Sequence, residues 1–197
     1  MRECILASGS PRRREILTNL GLPFTVAVSD VDETTAETEP GRMTEELSAR
    51  KGRAVRASLT CAGTDTAGKL LIASDTTVFC GGEILGKPRD TADARRMLTL
   101  LSGRRHEVVS GIWLSLNGRE AVSHAVTAVE FAPLTAREIA AYLESGEPFG
   151  KAGAYAIQGR AAAFIRGIEG DYFNVVGLPV NRMCELYRDT FGEDLLV

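Results

Sequence analysis

Six charged side chains carry the chemistry available to this sequence. Four are cations, Arg12, Arg13, Lys51 and Lys87, and two are carboxylates, Glu33 and Asp75. Arginine forks match phosphate oxygens, and lysine meets them as a point charge. Carboxylates can hold a divalent metal or take a proton from water. A set with both signs suits metal-assisted attack of water on a phosphoryl group, the cations and the metal neutralising the charge of a polyphosphate. A module that only bound an anion would need the cations but would have no use for Glu33 and Asp75.

These residues need elements to aim them. The stretch Ser8-Gly9-Ser10-Pro11-Arg12-Arg13-Arg14 follows a short apolar run, Cys4-Ile5-Leu6-Ala7. A helical pattern follows it, with Ile16, Leu17 and Leu20 at turn spacing. Ser10 suits the N-cap and Pro11 the first helical position. A helix N-terminus is partially positive and favours acids. Here the first turn carries three arginines, with only Glu15 to offset them. An anion docked on the free backbone N–H groups reverses that penalty; a solvated basic turn is the alternative.

Leu70-Leu71-Ile72-Ala73 reads as a buried strand running into Ser74-Asp75-Thr76-Thr77 and Val78-Phe79-Cys80. A carboxylate interrupting such a strand is costly unless paired or metal-bound, so Asp75 is the strongest acidic candidate. Glu33 lies in an acidic segment after a strand at 24–28 and reads either as a solvated loop residue or as a metal ligand. Lys51 sits on a helix predicted over 43–62, on the face shared by Met43, Leu47, Ala54, Ser58 and Cys61. It either snorkels past the core or points into a cleft that holds an anion. Pro88 keeps Lys87 extended. The Gly- and Ala-rich run 150–160 lets backbone approach a ligand closely, and its Gln158 offers the donor and acceptor needed to read a base edge. A flexible loop is the plainer reading.

Gly81-Gly82 marks a hairpin, Asp90 caps a helix to about Leu101, and Thr135 with Glu138 forms a capping box. Strands at 108–116 and 120–131 meet at Asn117-Gly118, a type I′ signal. A further strand is expected over 161–168, and a last helix from Pro179 to about Phe191. Helices interleaved with single strands and hairpins predict an α/β fold, a mixed sheet with flanking helices. His106 and His124 read as structural or surface residues, with a positioning role open for His106. Trp113 reads as sheet packing.

Bulk properties set limits. The 197 residues, 44% hydrophobic, suit one domain spanning 1–197. A net charge of -3 argues against extended nucleic-acid binding and for a local polyanion site. The four cysteines have no paired spacing, which fits a reducing cytosol and neither a zinc site nor a disulfide framework. No apolar run reaches membrane-spanning length, and Met1-Arg2-Glu3 leads straight into the first strand without a secretory h-region, so a cytoplasmic location without a membrane partner is expected. P-loop, dinucleotide-binding and Gly-x-Ser-x-Gly signatures are missing.

Six ordered motifs now bear comparison with a known family. They are Ser8-Gly9-Ser10-Pro11-Arg12-Arg13, Ser74-Asp75-Thr76, Gly86-Lys87-Pro88, Ser102-Gly103 with His106, Ala152 through Gly159 (AGAYAIQG), and Asn174-Val175-Val176-Gly177-Leu178-Pro179. Together they resemble the Maf nucleotide pyrophosphatases, in order and over nearly the whole chain. The resemblance implies two lobes around a central cleft, as in the inosine triphosphate pyrophosphatases. It implies hydrolysis of a nucleoside triphosphate to the monophosphate and pyrophosphate with a divalent metal, Mg²⁺, Mn²⁺ or Co²⁺. Asp75 falls on the family's proton acceptor. Arg12, Thr76 and Gln158 fall on positions tied to base specificity, and Ser8, Arg13, Lys51 and Lys87 on substrate-contacting ones. Glu33 matches an acidic position near the metal, with Asp75.

Arg12, Asp75-Thr76 and Ile157-Gln158-Gly159 look like the dTTP/UTP branch. The 7-methyl-GTP branch has an aromatic residue in place of Arg12, Gln after the catalytic Asp, and Ser-Glu-Gly in the last motif. Ala156 where Gly is usual and Ser110 where Thr is usual are small departures that bear on fine preference. A Gln amide and a Thr hydroxyl can pair with the O4 and N3–H edge of uracil or thymine. The resemblance also suggests a homodimer. A second class of function is a nucleotide-sensing regulator of cell division or septum formation with little turnover.

Overall fold

A computed structural model describes residues 2–197. Its centre is one seven-stranded mixed sheet in the order β2-β1-β3-β5-β6-β7, with β4 paired to β3 off that path. The strands are β1 (Cys4–Leu6), β2 (Phe24–Val26), β3 (Leu70–Cys80), β4 (Glu83–Leu85), β5 (Arg105–Leu116), β6 (Arg119–Phe131) and β7 (Ile165–Glu169). β1 runs parallel to both β2 and β3, and the remaining pairings are antiparallel. Asn117 and Gly118, with φ of 49° and 82°, make the β5–β6 turn that their dipeptide signals.

The flanking helices are α1 (Pro11–Asn19), α2 (Pro40–Cys61), α3 (Thr91–Leu101), α4 (Ala136–Glu144), α5 (Tyr172–Val176) and α6 (Val180–Phe191). Their sequence signals act as expected. Asp90 caps α3 through the Asp93 N–H, and Thr135 and Glu138 complete a reciprocal capping box on α4. Three expectations need correction. The strand anticipated over 161–168 starts later: Arg160–Phe164 forms a 3-10 turn, and only Ile165–Glu169 pairs with β6. The short α5 before Gly177 has too few residues for a helical period to show in the sequence.

The third correction concerns α2. Ser58 and Cys61 are exposed, and the buried face consists of Gly41, Thr44, Leu47, Ser48, Ala49, Gly52 and Val55. The cause is close approach. A Cβ on Gly52 would lie 2.1 Å from the Trp113 ring, and one on Gly111 would lie 2.1 Å from the Thr44 carbonyl oxygen. Helix and sheet touch through small residues, so volume rather than hydropathy selects this face. Lys51 sits at its margin, half-buried.

The apolar side chains form two large clusters along β3. Leu70 and Ile72 belong to one, with α1 and α6 residues such as Leu17 and Met183; Val78 and Cys80 belong to the other, with Leu98 and Ile139. The polar triplet Ser74-Asp75-Thr76 lies between them on the same strand. On the edge facing away from β5, β1 pairs with residues 70–72 and β4 with residues 78–80. Residues 73–77 have β5 on one side only. That gap in the sheet opens into the site.

Candidate active site

A cavity of about 370 Å³ occupies the gap. Ser8, Arg12, Arg13, Glu33, Lys51, Asp75, Thr76, Lys87 and Gln158 all line it. They come from the end of β1, the first turn of α1, the loop after β2, α2, β3, the loop after β4, and the loop following Tyr155. Chain order alone did not bring them together; the crossing of β1, β3 and α2 does.

Lys51 is the centre of the charged group. Its Nζ donates to Asp75 Oδ1 at 2.5 Å and lies 3.0 Å from Glu33 Oε1. Lys87 Nζ approaches the other Glu33 oxygen at 3.7 Å. Burial pushes the Glu33 pKa up, but Lys51, Lys87 and Arg13 outweigh it and hold the carboxyl below its usual range. Asp75 is buried, at 8% exposure, which makes its pairing with Lys51 a condition of stability. Lys51 therefore points into the cleft rather than snorkelling away.

Arg13 forms the floor. Its Nε donates to the Gly177 carbonyl at 2.8 Å, Nη1 to Ser8 Oγ at 3.0 Å and Nη2 to Thr76 Oγ1 at 3.3 Å. Ser110 donates to the Asn174 carbonyl at 3.0 Å, which leaves the Thr76 hydroxyl to donate to Ser110 Oγ, 2.8 Å away. Thr76 is thus engaged on both sides, and its hydroxyl fixes the guanidinium. Arg12 Nε meets the Val176 carbonyl at 3.3 Å. Burial lowers the pKa of both guanidiniums below the ordinary arginine value, so an anion beside them would recover lost solvation. The first turn of α1 holds no acid, and Ser10 makes no side-chain cap, which leaves its N–H groups for a ligand.

Sequence reasoning passed over two groups here. Lys151 lines the cavity and is anchored on the carbonyls of Glu147 and Phe149. Burial and then Arg12 lower its pKa, as expected for cations gathered to meet an anion. Gly177, with φ of 123°, turns its carbonyl onto Arg13 and onto the Ser74 hydroxyl at 3.1 Å. Only the positive φ, invisible in the sequence, marks that role.

His106 acts behind the cavity. It is buried, and its Nε2 lies 2.9 Å from the hydroxyl of Tyr155, a lining residue. His124 instead pairs with Glu45 at 2.8 Å, half-exposed and outside the cavity. Burial pushes the His106 pKa down from 6.5 to about 4. Between those values the unfolded chain binds a proton that the folded protein refuses. The stability is therefore complete above pH 6.5 and lost as pH falls toward 4, by roughly 3 kcal/mol at most. Urea unfolding of the parent protein should weaken between pH 7 and pH 4, and His106→Gln should weaken less. Equal losses would rule out His106 as the source.

The carboxylate geometry suits a hard divalent cation. Asp75 and Glu33 converge on one cationic atom, so their oxygens already define a position for positive charge. Among the described residues no group of three or more His, Cys, Asp or Glu side chains gathers as a metal site. Magnesium and manganese commonly use one or two carboxylates and complete their shell with water and substrate phosphate oxygens.

The family described as "Maf-like protein" matches residues 3–190. The chain belongs to the Maf family. It is 50% identical over 198 residues to the dTTP/UTP pyrophosphatase of Moorella thermoacetica, covering 99% of this chain and 98% of that one. It is 48% identical over 187 residues to the dTTP/UTP pyrophosphatase of Symbiobacterium thermophilum, covering 94% and 93%. The relative of the same name from Pelotomaculum thermopropionicum is 45% identical, with both chains fully covered (100% and 100%). Among solved structures, the Staphylococcus aureus Ham1 protein overlays 66% of this Maf chain and 72% of its own, at 20% identity and a TM-score of 0.47. No described helix of this Maf protein is long and apolar enough to cross a membrane.

Proposed function

We propose that this Maf protein hydrolyses dTTP and UTP to the monophosphate and pyrophosphate, a house-cleaning activity on surplus or modified pyrimidine triphosphates in the cytoplasm. One observation carries the reading. Four cations and two carboxylates from separate elements line one cavity, with Lys51 held between Glu33 and Asp75. The names of the relatives supply the substrate class.

The residues divide the work. Arg12, Arg13 and the open N-terminus of α1 receive the polyphosphate, and Lys51 and Lys87 neutralise its remaining charge. Glu33 and Asp75 would hold the divalent metal, which supplies Lewis-acid polarisation of a phosphate oxygen when bound. Asp75 accepts a proton from the attacking water as its oxygen bonds to the α-phosphorus. The bond from that phosphorus to the β-phosphate bridge breaks, and pyrophosphate leaves. Gln158, exposed on the cavity wall, reads the base. Thr76 contributes to specificity through Arg13, to which its hydroxyl is bound.

The test is pyrophosphate release from a nucleotide panel with Mg²⁺, Mn²⁺ or Co²⁺. Release from UTP and dTTP ahead of 7-methyl-GTP supports the reading. No release across the panel would favour a nucleotide sensor, and inorganic phosphate in place of pyrophosphate would mark a different hydrolase. Gln158→Glu should cut the preference for UTP over 7-methyl-GTP by about tenfold or more, since a mismatched acceptor leaves a base donor or acceptor unpaired. Unchanged relative rates would remove Gln158 from base reading.

A further inference from the structure

The loop carrying Gln158 is held from behind. Glu147, just beyond α4, spreads its carboxylate between two partners: Oε1 accepts from the Tyr142 hydroxyl at 2.9 Å, and Oε2 from the Arg160 backbone N–H at 3.0 Å. Gly159 packs directly on that carboxylate, and a Cβ there would lie 2.2 Å from Oε1. Burial pushes the Glu147 pKa up, but the Arg160 N–H, the Tyr142 hydroxyl and the Ala161 N–H outweigh it and hold the group below its usual range. At the loop's other end, Tyr155 is tied to His106 at 2.9 Å. Between these anchors the Gly159 N–H closes a turn onto the Ala156 carbonyl at 3.1 Å, with Gln158 just before it.

We infer that Glu147 is a positioning residue for base recognition: through Gly159 and Arg160 it fixes the direction of the Gln158 amide without touching the ligand. The inference rests on the proposed reading of the base by Gln158. Hydrogen bonds weaken steeply when misaligned, so a loop free to rotate forfeits selectivity first. Arg12, Arg13, Lys51 and Lys87 come from α1, α2 and the loop after β4, none of which Glu147 holds, and Lys151 hangs on the Glu147 backbone carbonyl, which a side-chain substitution leaves in place. Gly159 also gains a reason: its missing side chain makes room for the carboxylate that orients its neighbour.

Binding measurements separate this from a merely structural role. Calorimetry would use the α,β-imido analogues of UTP and GTP, which resist cleavage, together with inorganic triphosphate, which has no base. Glu147→Ala should lower the uridine-over-guanosine affinity ratio about tenfold, with triphosphate affinity unchanged. Glu147→Gln keeps an oxygen acceptor in place and should restore most of the ratio. If Glu147→Ala fails to fold, Tyr142→Phe deletes one partner of the carboxylate and should still lower the ratio about threefold. Equal losses for all three ligands, or a parental ratio in folded Glu147→Ala, would overturn the inference. A parental ratio near one would instead refute the base reading by Gln158.

Discussion

Asp75→Asn is expected to lower the turnover of UTP by about 100- to 10,000-fold, the range that a positioned general base supplies. Nucleotide binding should survive or tighten. The amide matches the carboxylate in size and still offers Lys51 an acceptor at the same place, so the packing of β3 is undisturbed. It cannot take a proton from water, and it contributes less to a divalent metal. The cavity also loses one negative charge beside Arg13 and Lys51, which favours the polyphosphate. Single-turnover kinetics read the chemical step, and calorimetry with a cleavage-resistant analogue reads affinity. Near-normal hydrolysis by the variant would strike Asp75 from the role.

Gly111→Ala should do comparable damage without touching any cavity-lining side chain. Its new Cβ would lie 2.1 Å from the Thr44 carbonyl oxygen, 2.3 Å from that carbonyl carbon and 2.7 Å from the Glu45 nitrogen. All three are backbone atoms of α2, so no rotamer change relieves the clash. Overpacking of this kind costs about 1–3 kcal/mol, and a rigid backbone neighbour puts it at the upper end. The relief available is for α2 to lift from the sheet, and α2 carries Lys51. Activity should therefore fall by more than the folded fraction falls. Urea unfolding measures the first loss and specific activity of the folded protein the second. A variant with parental stability would contradict the close packing of α2 on β5.

The sequence exposed this site better than it exposed the surrounding packing. Asp75 stood out because a charge in an apolar run needs a reason, and Arg12 and Arg13 because a helix start repels cations. Gln158 lay in a small-residue loop whose composition marks close approach, and Pro88 marked Lys87 as extended. What stayed hidden depends on contacts distant in sequence. The inner face of α2 uses Gly52 and Ser48 where hydropathy favoured Ser58 and Cys61, because Trp113 and Gly111 dictate the space from another strand. Lys151 and Glu147 act through side-chain partners that the fold brings near, and Gly177 through the direction of its carbonyl; residue type encodes neither. Arg160–Phe164 has the apolar character of a strand, yet only the residues after it find a partner on β6.

The break in pairing along β3 has a second consequence. Residues 73–77 present one strand edge without a neighbour, and such edges recruit strands from other molecules. Here β1 and β4 close the opening at both ends, so an intruding strand could pair over only a few residues. Lys51 lines the opening and Arg13 its floor, and an incoming backbone brings no charge to meet either. A small polyanion meets those cations favourably, whereas a peptide strand does not. The charges that attract the substrate thus also guard the molecule against self-association through this gap.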